Sequence, residues 1–89
     1  MTAKLIELMD KVFNEDGSVK PCGREVCKKL ITCATDFSEA KHAANHTEST
    51  HSLKSLQASE KYVSPNYGNP DTGYMNIENL LALRAELKQ

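Results

Sequence analysis

Hydrophobic positions in the first thirteen residues fall at three- and four-residue steps. Leu5, Leu8, Met9, Val12 and Phe13 make one stripe, and Ile6 widens it. That period predicts an amphipathic helix, with Thr2 as its N-cap and an end near Phe13. Asn14-Glu15-Asp16-Gly17-Ser18 then stops it, since Gly17 accepts the positive φ that a reversal demands. A second stripe follows, made by Val26, Cys27, Leu30, Ile31, Cys33 and Ala34, with Arg24, Lys28 and Lys29 on the opposite face. Pro21 suits the first turn of this second helix, where its missing N–H costs nothing.

Beyond residue 35 the pattern weakens. Asp36 followed by Phe37-Ser38-Glu39 looks like a capping box with Asp in the capping place, which predicts a separate third helix starting at Phe37. Its apolar residues are sparse, and residues 45–52 are polar all round, so a break is expected near 47–52. Two prolines, two glycines and two asparagines between Ser64 and Tyr74 predict an irregular loop. Asn76 caps the last expected helix, from Ile77 to about Leu87, with Ile77, Leu80, Leu81, Leu83 and Leu87 apolar. No segment alternates long enough to argue a strand. The fold expected is all-α: one small domain over residues 1–89, of three to four helices, with the Pro/Gly/Tyr loop before the last.

An 89-residue chain buries only roughly 60–65% of its unfolded surface. Its core is thin, and a partner or a second copy is a natural way to complete it. The net charge is −1, so nucleic acid and acidic membrane are not the favoured partners. The charge is uneven: residues 1–16 hold Lys4 and Lys11 against four carboxylates, whereas residues 20–41 hold five basic and three acidic groups. No run approaches the ~20 apolar residues of a membrane span, and the N-terminus has no signal-peptide pattern. Three cysteines, an odd number, point to reduced thiols in a cytoplasm rather than to a secreted disulfide framework.

Candidate chemistry is sparse. His42 and His46 share a helix face at zinc-ligand spacing, but the glutamate of the metalloprotease motif is missing and Cys22, Cys27 and Cys33 lack the knuckle spacing. No metal and no cofactor is expected. Cys22, between Lys20 and Arg24, is the thiol to consider for reactivity, although an ordinary exposed cysteine is the plainer reading. No nucleophile is marked by a base and an orienting group, so the expectation is not an enzyme. A helix-turn-helix made of residues 21–34 and 37–46 would offer a recognition face of Ser38, Glu39, Lys41, His42 and Asn45, which is poor in positive charge.

What remains is binding. Tyr67 and Tyr74 bracket a run of turn formers, and tyrosine gives large contact area for little entropy. Both rings folding back over a small core is the equal alternative. Leu80, Leu83 and Leu87 repeat at the spacing of a helix that docks into a groove. Tyr67, Tyr74, Leu80, Leu83 and Leu87 are therefore the expected partner-binding residues, with a homo-oligomer as the other way to cover that face.

The runs Asn14-Glu15-Asp16-Gly17-Ser18-Val19, Cys22-Gly23-Arg24-Glu25 and Ser64-Pro65-Asn66-Tyr67-Gly68-Asn69-Pro70 carry a family likeness. In them, and in length and composition, the chain resembles the accessory lysis-inhibition proteins of T-even-like bacteriophages, the cytoplasmic antiholins. The resemblance implies a non-enzymatic regulator in the host cytoplasm. It would bind the short cytoplasmic segment of the phage holin and delay lysis, without entering the membrane. It implies no catalytic residues. A small DNA-binding transcription regulator is the competing expectation.

Overall fold

The computed structural model describes residues 2–47 and 65–89, with side chains followed to residue 43 in the first stretch. Helix α1 spans Thr2–Val12 and buries Leu5, Leu8, Met9 and Val12, the stripe that its periodicity predicts. Phe13, also buried, pairs with Val19 in an isolated antiparallel bridge. Between them the chain reverses through Glu15-Asp16-Gly17. The Gly17 N–H donates to the Asn14 carbonyl at 3.1 Å, and the Asn14 N–H donates to the Ser18 carbonyl at 2.8 Å. With Gly17 at φ +90°, this is the three-residue hairpin loop that closes on a left-handed glycine.

Helix α2 runs unbroken over Arg24–Thr47. It begins three residues later than Pro21 suggests, because the Gly23 carbonyl accepts the Cys27 N–H at 3.3 Å and so occupies the capping place. It also passes straight through Thr35 and Asp36, so the expected second start at Phe37 is corrected. The cause is visible in the packing. Leu30, Ile31 and Ala34 are fully buried and Phe37 packs on the same core. One apolar stripe therefore continues through the supposed cap, and its burial outweighs Asp36's local preference for capping. The expected break at 47–52 lies outside the described residues.

The loop before the last helix contains a two-residue antiparallel pair, β1 (Gly68–Asn69) and β2 (Tyr74–Met75), with Gly68 opposite Met75 and Asn69 opposite Tyr74. The final helix, α3, spans Ile77–Leu87, capped as expected by the Asn76 side chain, which accepts from the Asn79 N–H at 3.2 Å. Among the described residues the protein is thus a small, mostly helical domain with three helices and a minimal hairpin. Helix α1 packs mainly on α2, the hairpin also rests on α2, and α3 closes against α1. Leu80 and Leu83 complete a core that α1 and α2 begin, with Tyr67 filling the space beside them. At the far end Lys41 of α2 forms an ion pair with Glu86 of α3.

Candidate docking surface

The hairpin is stiffened by its own polar residues. Asn66 Oδ1 accepts from the Gly68 N–H at 3.0 Å, and Asn69 Oδ1 accepts from the Asp71 N–H at 3.0 Å. Both are side-chain turns of the kind asparagine favours. Thr72 Oγ1 accepts from the Tyr74 N–H at 3.3 Å. Gly68 sits at φ +122°, and a Cβ there would overlap the Tyr74 carbonyl oxygen, so the two limbs approach as closely as they do only because this residue is glycine.

The turn is then fastened to the body from outside. Arg24, the first residue of α2, donates from Nε to the Thr72 carbonyl at 2.9 Å and from its terminal nitrogen to the Asp71 carbonyl at 3.3 Å. On the other side the Asn76 N–H donates to the Tyr67 carbonyl at 2.9 Å, and Asn79 Nδ2 donates to the Asn66 carbonyl at 2.5 Å. Whatever the hairpin presents is therefore presented in a fixed orientation.

Five residues were expected at the binding surface, and the fold separates them. Tyr67 is 6% exposed and belongs to the core, whereas Tyr74 is 72% exposed. The sequence left both tyrosines poised between core and surface; the hairpin gives one to each. Leu80 and Leu83 are buried and Leu87 is half-buried against the core, so none of the three stands out as a free anchor. Leu80 and Leu83 are taken up by the core, and Leu81 and Leu87 pack against its edge.

Apolar surface remains at positions not expected. Ile77 is 42% exposed at the start of α3, and Val19 is 40% exposed beyond the first turn. Leu81, one helical turn after Ile77 and on the same face, lies over Gly17, where an added Cβ would meet its methyl carbon at 3.5 Å. Ile77 and Leu81 thus share a face of α3 that reaches the Gly17 turn, with Leu81 partly buried against the core, and Tyr74 stands on the hairpin three residues before Ile77. Ile77 carried a signal in the sequence, since it stands off the stripe of Leu80, Leu83 and Leu87.

A separate groove of about 620 Å³ lies between α1 and α2. Its apolar lining is Leu8, Val26 and Cys33. Its rim mixes Lys4, Lys11, Lys28 and Lys29 with Glu7, Glu25 and Asp36, and it shares no residue with the Tyr74 surface. The mixed signs do not make it a phosphate-binding face. Two residues that were not singled out as functional prove to matter for position: Arg24, clasping the hairpin, and Arg84, which is 9% exposed and donates to the Asn14 carbonyl at 2.8 Å.

Among the described residues no group of three or more His, Cys, Asp or Glu side chains converges as metal ligands; the His46 side chain and His51 lie outside them. Cys22 and Cys27 do approach each other, with sulfurs 3.3 Å apart. Burial, and then the neighbouring Cys22, push the Cys27 thiol up to about 11. No described helix is long and apolar enough to cross a membrane.

No family model, curated protein or solved structure matches this chain.

Proposed function

We propose that the protein is a non-enzymatic regulator that works by binding another protein, and that it is a cytoplasmic antiholin. Its partner is then the short cytoplasmic segment of a phage holin, and its effect is delayed host lysis. The observation that carries the binding reading is Tyr74. A ring 72% exposed, on a hairpin held by Arg24, Asn66 and Asn69, offers contact area without an ordering cost. Ile77, 42% exposed three residues on, extends the apolar face.

The identity of the partner rests on the sequence likeness. The runs that carry it supply Gly17 of the first turn, Gly23 and Arg24 at the head of α2, and Gly68 of the hairpin.

The transcription-regulator alternative loses support from α2. The two helices it requires, joined at Thr35-Asp36, are one helix, and without a turn there is no second helix to set into a groove.

The test is co-expression with the holin. Lysis should be delayed by the native protein and not by Tyr74→Ala or Ile77→Ala, each checked for native helicity. Unchanged lysis timing with the native protein would reject the antiholin role. A salt-sensitive DNA shift, lost on changing Lys28, Lys29 and Lys41, would favour the regulator.

A further inference from the structure

The Cys22 and Cys27 sulfurs lie 3.3 Å apart, and neither cysteine is bonded. Their places in the fold differ in a useful way. Cys27 sits in the first turn of α2 and is 8% exposed. Cys22 is half-buried and stands just outside the helix, ahead of Gly23, where an added Cβ would meet nothing within 4 Å. A disulfide needs its sulfurs at about 2.05 Å, so a little over an ångström of closure is required. Cys22 precedes the first residue of α2, so the closure falls on the Pro21-Cys22-Gly23 segment, where Gly23 has open space beside it. The third thiol, Cys33, follows almost two turns further along α2 and is half-buried.

We propose that Cys22 and Cys27 form a thiol-exchange site that reacts with low-molecular-weight disulfides and closes to a reversible intramolecular disulfide. Cys22, the more accessible sulfur, enters first. Its thiolate attacks one sulfur of the small disulfide, whose S–S bond breaks, and one small thiolate leaves to take up the proton that Cys22 gave. Cys27, deprotonated in turn, attacks Cys22 Sγ and breaks the mixed disulfide. The second small thiol departs with the Cys27 proton. Two protein thiols are oxidised and one small disulfide is reduced to two thiols. Burial raises the Cys27 thiol, and closure needs its thiolate, so closure speeds up with pH.

Closure would staple the entry segment to α2 on either side of Arg24, the residue that clasps the Tyr74 hairpin. The site stands on the thiol geometry alone and does not depend on the docking proposal.

Peptide mapping of the full-length protein tests it. The protein is exposed to glutathione disulfide, quenched by alkylation and digested with trypsin. Cleavage after Arg24 and Lys28 places Cys22 and Cys27 on separate peptides, residues 12–24 and 25–28, and Cys33 on a third, residues 30–41. The expected product is a linked pair of the first two that separates on reduction, with a net loss of two hydrogens and Cys33 fully alkylated. Cys33→Ser should leave the link unchanged, and Cys22→Ser should abolish it together with most of the uptake at Cys27. A mixed disulfide persisting on Cys22 with Cys27 still alkylated, or a link involving Cys33, would overturn the proposal. The native protein alone decides this should a cysteine variant fail to fold.

Discussion

Arg84, in the last turn of α3, donates to the main-chain carbonyl of Asn14, seventy positions earlier, at 2.8 Å. The arginine is almost wholly buried, and through this bond the end of the chain holds the turn that follows α1. A hydrogen bond from a charged donor contributes roughly 1.5–3 kcal/mol. Here Nε is buried with no acceptor among the described residues, which offsets part of that gain. Arg84→Ala should therefore destabilise by about 1.5 kcal/mol, read from urea unfolding midpoints, while Lys88→Ala, an exposed partner of Asp10 at 3.2 Å, should change stability by under ~0.5 kcal/mol.

The glycines should rank by what a methyl group would strike. At Gly68 it meets the Tyr74 carbonyl and approaches Met75 Cα at 2.9 Å, so Gly68→Ala combines a backbone clash with a left-handed φ. Gly17→Ala meets only the Leu81 methyls at ordinary contact and suffers backbone strain, about 1 kcal/mol. Gly23→Ala has open space. Thermal melts should order the losses Gly68 above Gly17 above Gly23. An equal loss at all three would mean that the hairpin limbs are not in this close register.

Asp16 gives a pH signature for the first turn. The Ser18 hydroxyl donates to Asp16 Oδ1 at 2.7 Å and the Ser18 N–H at 2.9 Å. These bonds, the side-chain one foremost, hold the carboxyl below its ordinary 3.8, helped more weakly by Arg84. Because the folded value is the lower one, the contribution is present at neutral pH and is lost as pH falls from the ordinary value through the folded one. Ser18→Ala should return the Asp16 titration toward 3.8, as followed by carboxyl-carbon NMR.

Much of this architecture was legible in the residues, and the parts that were not share a cause. The α1 stripe from Leu5 to Phe13, the reversal at Gly17 and the Asn76 cap are local, so spacing and residue type reveal them. Asp36 misled because a capping preference is also local, whereas the burial of Ala34 and Phe37 that overrides it comes from other helices. The fates of Tyr67 and Tyr74 depend on hairpin register, which two-residue strands barely record in sequence. Arg24 and Arg84 reach carbonyls on segments 48 and 70 positions away, and nothing beside either residue announces such a partner.

The central claim, that Tyr74 and its neighbour Ile77 form the docking surface for a holin's cytoplasmic segment, is met most directly by titrating that segment, as a peptide, into the purified protein by calorimetry. The native protein should bind it at one site. Tyr74→Ala and Ile77→Ala should each weaken binding by more than ~1 kcal/mol, roughly fivefold, with the thermal melt of the domain little changed. Lys29→Ala, on the rim of the separate α1–α2 groove, should bind as the native protein does. Absence of binding by the native protein, or native affinity in both the Tyr74 and Ile77 variants, would contradict the account.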